Sequence, residues 1–200
     1  MKKMIAFGLS CLLLLTACQK ANVEEGKEDS INQEEEIQYL GILLDKNLYL
    51  FRGEKEENYE LIYLSNEIKN VKIGEMIKFH IDGPILESYP LQAKAKDIEV
   101  IPGRVKGLSI DLEKAENVKA FGGEKISLLD VRTLDEYNSG HLEEAEHMPL
   151  DRLAMDIEEK KDKDQVLFVY CRSGVRSKEA QKILEDLGYF TIDAGGLLDK

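Results

Sequence analysis

The sequence predicts a two-part chain: a small all-β barrel over residues 37–101, then an α/β part over 103–200 with a parallel sheet flanked by helices. Three observations carry this. From Ile37 to Ile101 short β-patterned runs follow one another with little helix between them. After Pro102-Gly103 apolar strands alternate with helical patterns, the signature of a mainly parallel sheet. Ahead of both lies "QKANVEEGKEDSINQEEE", whose only large aliphatic residues are Val23 and Ile31, too few to bury the surface that ordering requires.

The opening "MKKMIAFGLSCLLLLTAC" is a targeting segment. Lys2 and Lys3 precede an apolar run, Met4 to Leu15, which is shorter than the ~20 residues of a membrane-spanning helix. Leu15-Thr16-Ala17-Cys18 resembles the bacterial lipobox. The reading that follows is a signal peptide at 1–17, lipidation of Cys18, a disordered tether at 18–36, and a protein held by its lipid on the extracytoplasmic side of the cell membrane. Cys11 then leaves with the signal peptide and Cys18 is acylated, so Cys171 becomes the sole thiol. That excludes an intramolecular disulfide and a cysteine zinc site. The formal charge is −12; without Lys2 and Lys3, 25 basic side chains face 39 acidic ones. Such a field excludes nucleic acid as a partner.

The barrel region reads in order. "IQYLGILLD" and "NLYLFRG" are two strands about the turn Asp45-Lys46-Asn47. "YELIYLS" is a third. "EMIKFHID" alternates, with Ile77, Phe79 and Ile81 on one face and Lys78 and His80 on the other. Gly83-Pro84 breaks the run, and "YPLQAKAKDIEVI" supplies a last strand or two. Five or so short strands suit a closed or half-open barrel of OB type, which leaves few exposed edges. The stretch from Val71 to Ile101, with its "DGPILESYP" and "AKAKDIEVI", resembles a family of small uncharacterised extracytoplasmic domains of Gram-positive bacteria, which implies an OB-like barrel and no activity. Tyr39, Tyr49, Tyr59, Tyr63 and Tyr89 are either a ligand face or half-buried packing. His80 is expected to be solvated, with no second ligand-type residue at metal spacing.

In the second part, "SIDLEKAENVKAF" is a helix with Ser109 or Asp111 as N-cap, ended by Gly122-Gly123. "KISLLDV" is a buried strand. Thr133 and Glu136 have capping-box spacing at the head of a short helix. "LDRLAMDIEEKKDKD" is a helix, "QVLFVY" a strand covered on both faces, "SKEAQKILEDLG" a helix stopped by Gly188, and "YFTIDAGG" the last strand.

Ligands of open α/β sheets sit beyond the carboxyl ends of the strands. Cys171 stands there, directly after "VLFVY", and "RSGVR" follows before a helix begins near Ser177. Loop N–H groups and the helix N-terminus form an anion nest, and Arg172 and Arg176 add full charges. Each influence favours thiolate, so a lowered pKa and a nucleophilic sulfur are expected at Cys171.

Three elements now stand together: Asp130-Val131-Arg132 at a strand end, Gly140-His141-Leu142 ahead of His147-Met148-Pro149-Leu150, and the loop Cys171-Arg172-Ser173-Gly174-Val175-Arg176. With them the region from about 105 to 198 resembles a single rhodanese domain. The resemblance implies a sulfurtransferase: the Cys171 thiolate takes the outer sulfur of a small anionic donor such as thiosulfate, sulfite leaves, and an external thiol or cyanide removes the sulfur from the persulfide. Loop N–H groups of Arg172, Ser173, Gly174, Val175, Arg176 and Ser177 would hold that sulfur, with the Ser173 and Ser177 hydroxyls as further donors, although Ser177 is equally a plain N-cap. Asp130 and Arg132 would brace the loop, or form a purely structural pair. His141 would fix its turn. No cofactor and no metal are called for.

Loop length bears on the chemistry. Rhodanese-like phosphatases and arsenate reductases separate cysteine and arginine by five residues; that position here is Ser177, so the shorter ring suits a single sulfur. A non-enzymatic sensing lipoprotein, with Cys171 as redox or sulfane-sulfur sensor, is the alternative. Two departures from the family stand out. Glu143-Glu144 replaces Pro-Gly and is expected near the site's mouth, and the ending "AGGLLDK" implies thinner apolar cover on the last strand.

Overall fold

A computed structural model describes residues 36–199; the expectations for the signal peptide, Cys18 and the tether up to residue 35 lie outside the described residues. The described residues cluster as one compact unit. Among the described residues no helix is long and apolar enough to cross a membrane.

The first half is a six-stranded mixed sheet built from β1 (Tyr39–Asp45), β2 (Leu48–Gly53), β3 (Glu60–Leu64), β4 (Glu75–Ile81), β5 (Leu91–Ala93) and β6 (Ala95–Arg104). Strand order is β5-β3-β2-β1-β4-β6, antiparallel except for the parallel pair β3–β5. The expected all-β part is thus a mixed sheet. Its two edge strands are separated in sequence by Lys94 alone, so the chain passes from the β3 edge, at Leu64↔Ala93, to the β4 edge, at Ile81↔Ala95. Asn66 fastens this corner through its amide to Ala95 N (2.9 Å) and Ala95 O (3.2 Å). Strand β6 runs on through Pro102 and Gly103, because Arg104 pairs with Glu75 of β4.

The second half is a parallel sheet, order β10-β9-β7-β8, from β7 (Ile126–Asp130), β8 (Ala145–His147), β9 (Val166–Cys171) and β10 (Phe190–Gly196), with helices α1 (Leu112–Gly122), α2 (Leu134–Asn138), α3 (Leu153–Lys160) and α4 (Val175–Asp186). Asp111 caps α1 by accepting from Lys114 N, and the Thr133–Glu136 capping box forms as the spacing predicts.

Strand periodicity sorts the core into two faces. Leu167, Val169 and Cys171 of β9 pack with Leu153 and Ile157 of α3 and with Ala180 and Leu184 of α4. Val166, Phe168 and Tyr170 face the other way, onto α1 and onto Ile42, Leu44, Leu48, Leu50 and Leu61 of the mixed sheet. The outer face of β1 and β2 therefore serves as a second cover for the parallel sheet, while their inner face packs Tyr49, Phe51, Ile77 and Phe79 into a separate core. This overturns the expectation of a thinly covered last strand: Phe190, Ile192 and Ala194 of β10 are buried within the core they share with the mixed sheet. A Cβ on Gly74 would lie 2.6 Å from the Phe190 ring, a measure of how closely the halves approach.

Candidate active site

Cys171 ends β9 and is fully buried, 0% exposed. After it the chain turns in three residues, and Gly174 adopts φ 79° as the residue before α4. That left-handed conformation suits glycine, and it aims the first N–H groups of α4 back at the sulfur. Burial is the largest influence on the Cys171 thiol and opposes ionisation. The backbone N–H of Ser173, the N–H and hydroxyl of Ser177, and the N–H of Arg176 together outweigh it, and the pKa is lowered. The expected nest is present, but its chief donors are neutral amides and a hydroxyl.

Ser177 is not the N-cap. Helix α4 starts at Val175, so Ser177 lies inside the first turn, fully buried. Its Oγ sits 3.9 Å from Cys171 Sγ, 3.0 Å from Gly174 O and 3.2 Å from Gly195 O. The thiol donates to this Oγ, which donates in turn to the two carbonyls; once Cys171 ionises, the hydroxyl can turn its proton to the sulfur. Ser173, Arg172 and Val175 are exposed on the rim of the loop. Arg172 contributes its carbonyl, which accepts from Leu198 N (3.1 Å).

Arg176 behaves differently from the free cation expected. It forms a bidentate ion pair with Glu136 of α2 (2.7 and 2.8 Å). Glu136 raises the arginine's pKa most, and the Cys171 sulfur adds to the rise. The guanidinium is thus shared between a carboxylate and the thiol.

Asp130 and Arg132 form a buried pair, with Nη2 to Oδ2 at 2.6 Å and Nε to both carboxylate oxygens at 2.9 Å. Tyr170 donates its hydroxyl to Asp130 Oδ2 (2.8 Å) and accepts from Leu142 N (3.3 Å); Arg132 Nη2 reaches Gly140 O (2.7 Å). Through these bonds the pair braces the 140–142 turn and the strand residue preceding Cys171; no hydrogen bond joins it to the loop itself. His141 fixes the same turn: its Nδ1 is 3.0 Å from Tyr137 O and its ring stacks on Tyr137 at 3.8 Å.

One loop contact escaped the sequence reading. A Cβ on Gly196 would lie 2.7 Å from Arg172 O, 2.8 Å from Gly174 N and 2.8 Å from Ser173 Cα. The end of β10 therefore presses backbone to backbone against the cysteine loop; the doubled glycine in "DAGG" was the available signal.

A cleft of about 780 Å³ opens beside the loop, with Arg132, Leu134, His147, Leu150, Arg176 and Ile183 among its walls. Glu143 and Glu144 are not there. They lie with Lys119 and Ala120 of α1, and Glu144 pairs with Lys119 at 3.8 Å. The turn after Leu142 carries them to the α1 side of the sheet, which corrects their expected place at the mouth.

In the first half, the five tyrosines do not gather on one face. Tyr49 is fully buried, its hydroxyl pKa pushed to about 12 by burial. Tyr39 stacks on Phe79 and meets Phe51 at a tilt, Tyr59 and Tyr63 pack on the core shared with the parallel sheet, and Tyr89 stands exposed against Phe121. His80 is half-buried rather than solvated, and the fold brings it Asp97 and Glu36, a group whose ligand-type atoms all lie within 4.8 Å. Glu36 is already paired with Lys96 (2.5 Å).

Fold and site together define a single-cysteine α/β domain with an anion-cradling loop at the carboxyl end of a parallel strand. Comparison with known proteins agrees. Residues 113–197 match the rhodanese-like domain family, and residues 19–102 match a family described as a protein of unknown function (DUF3221). Thiosulfate sulfurtransferase PspE of Escherichia coli (strain K12) is 36% identical over 76 residues, 36% of this chain and 70% of that protein. Two solved structures are similar. A rhodanese with anions from E. coli shares 34% identity, with 38% of this chain and 91% of that chain covered and a TM-score of 0.36. A rhodanese-like domain protein from Staphylococcus aureus shares 25%, with 46% and 88% covered and a TM-score of 0.41. The chain belongs, through its second half, to the rhodanese-like sulfurtransferase family.

Proposed function

We propose that this chain moves a sulfane sulfur through a persulfide on Cys171. The carrying observation is that a buried thiol has its pKa lowered by converging donors at Ser173, Arg176 and Ser177. The thiolate attacks the outer sulfur of a donor such as thiosulfate, the donor's S–S bond breaks, and sulfite departs with the electron pair. The persulfide's terminal sulfur takes the place in the loop that the N–H groups otherwise offer to the thiolate. An external thiol or cyanide then attacks that terminal sulfur, the new S–S bond breaks, and Cys171 is returned as thiolate. Two half-reactions of this form give ping-pong kinetics. Cys171 is the only cysteine among the described residues, so the reading takes its resolving nucleophile from another molecule.

The same reading makes the mixed sheet an OB-type barrel at 37–101, closed at the Lys94 corner, ahead of a rhodanese domain at 103–200. It makes Cys18 a lipid anchor on the extracytoplasmic face of the cell membrane. Phosphate or arsenate chemistry is disfavoured because position 177 holds a buried serine bonded to two carbonyls. The sensor alternative draws on the complete burial of Cys171.

The test is turnover of thiosulfate and cyanide by the protein and by its Cys171→Ser variant, with the mass of each after thiosulfate treatment. A gain of one sulfur confined to the cysteine form, together with turnover, is expected. Sulfur uptake without turnover supports the sensor, and no uptake removes the persulfide.

A further inference from the structure

We infer that the molecule which resolves the Cys171 persulfide is an organic thiol with an uncharged, apolar body, seated in the cleft beside the loop. This rests on the sulfur-transfer reading above and concerns only the acceptor.

Size is the first argument. The cleft measures about 780 Å³, within the ~300–1,000 Å³ typical of sites for sizeable organic ligands. Cyanide or thiosulfate would fill a small corner of it.

Lining is the second. Val131, Leu134, Leu150 and Ile183 form apolar walls. Val131 belongs to the same buried cluster as Cys171, and Leu150 and Ile183 pack against that cluster. The apolar surface is therefore continuous with the packing around the sulfur. Leu134 is 58% exposed at the start of α2, a leucine held in water at the lip of a cleft whose walls match it.

Charge is the third. The cleft holds three arginines, yet each already carries a carboxylate partner: Arg132 has Asp130, Arg176 has Glu136, and Arg152 has Asp156. Asp151 and Glu179 line the cleft as well, and the whole chain carries −12. An anionic thiol enters a field already balanced towards the negative, and no guanidinium lining the cleft is unpaired. An uncharged thiol with a hydrocarbon body loses nothing to that field and gains by burying its apolar surface against the walls.

The step balances without a further reagent. The acceptor thiolate attacks the outer sulfur of Cys171–S–SH and forms its own S–S bond. The Cys171–sulfur bond breaks and leaves the electron pair on Sγ, which is returned as thiolate, while the acceptor departs as a persulfide bearing the proton.

The experiment uses the full chain charged with inorganic polysulfide, sulfur uptake being read as a mass gain absent from Cys171→Ser. The charged protein is then discharged in single turnover by phenylmethanethiol and by 2-mercaptoethanesulfonate, thiols of similar acidity. The expected result is faster discharge by phenylmethanethiol, by roughly tenfold, which is about what burying two methylene-sized groups is worth. In Leu134→Lys the advantage should shrink several-fold. Equal rates for the two thiols, or an advantage that Leu134→Lys leaves unchanged, would overturn the inference. Absence of sulfur uptake would instead remove the sulfur-transfer reading, and the inference with it.

Discussion

Glu136 holds Arg176 with both carboxylate oxygens, at 2.7 and 2.8 Å, across 40 positions of sequence. The same carboxylate closes the capping box of α2, accepting from Thr133 N (3.1 Å) and Thr133 Oγ1 (3.0 Å). One side chain thus ties the start of α2 to the cysteine loop. It also shares with the sulfur the charge that Arg176 carries.

Removing that carboxylate should loosen the loop and free its cation. Glu136 titrates at about 2 against an ordinary 4.5, chiefly because Arg176 bonds it and Thr133 assists, against the cost of burial. A depressed carboxylate stabilises the fold fully above its unfolded pKa, so this contribution should be present above pH 4.5 and fade as pH falls towards 2. Glu136→Gln is expected to cost ~1 kcal/mol at neutral pH, the scale of a cap and a partly exposed ion pair. Urea denaturation of both proteins should show the difference closing below pH 4.5; a constant difference down to pH 2 would contradict the assignment.

Ser177 offers a direct test of the nest. Its hydroxyl lowers the Cys171 pKa and also bonds two backbone carbonyls. Ser177→Ala should raise the thiol pKa towards the free cysteine value, read from the pH titration of thiolate ultraviolet absorbance. It should also cost ~1–2 kcal/mol through poorly satisfied buried carbonyls. Arg172→Ala, on an exposed side chain, should leave the titration where it is.

Much of this was legible in the sequence because it depends on neighbours along the chain. Strand and helix alternation, the Thr133–Glu136 box and the position of Cys171 all follow from local pattern. The second role of Glu136 was not legible, since nothing in "TLDEYN" points to an arginine 40 residues on. The N–H nest around the thiol was legible from the short loop and the helix behind it; what was not legible is that Arg172 stands exposed on the rim and that Arg176 is already paired with Glu136. The packing of the two halves did leave a trace. "LGILL" and "LYLF" are apolar in both parities, the mark of strands buried on both faces, but nothing in either run says what covers the second face.

The buried Asp130–Arg132–Tyr170 group should respond very differently to two small substitutions. Asp130→Asn leaves the Arg132 charge buried without its partner, an expected loss of ~3–5 kcal/mol. Tyr170→Phe removes one bond to Asp130 Oδ2 and one from Leu142 N, for about 1 kcal/mol. Thermal unfolding checks both; similar costs would mean that the pair is not the anchor of the 140–142 turn.

Gly196→Ala should damage the site through backbone alone. Its Cβ would meet Arg172 O, Gly174 N and Ser173 Cα at 2.7 to 2.8 Å, and none of these can rotate away. The loop must shift, which misaligns the N–H groups facing Cys171. The expected outcome is a raised thiol pKa with a stability loss of ~1–3 kcal/mol, the usual cost of overpacking. An unaltered thiolate titration would show that the loop holds its shape without the close approach of β10.

The two halves share a core, so they should unfold together. Gly74 packs on the Phe190 ring and has φ +81°, and Ile42, Leu44, Leu48 and Leu50 lie in one apolar cluster with Phe168 and Phe190. Gly74→Ala combines backbone strain with a clash against an aromatic ring that is itself fully buried. Leu44→Ala empties space in the shared cluster, for ~2–5 kcal/mol. Each change lies in the first half, at the turn before β4 or in β1, outside the parallel sheet and its cysteine. If the cover is structural, both variants should lower the midpoint of a single cooperative transition, and the Cys171 thiolate titration should disappear in step with the tyrosine signal of the mixed sheet. Two separable transitions, with the thiol environment surviving the first, would show that the α/β half does not depend on the mixed sheet for its stability.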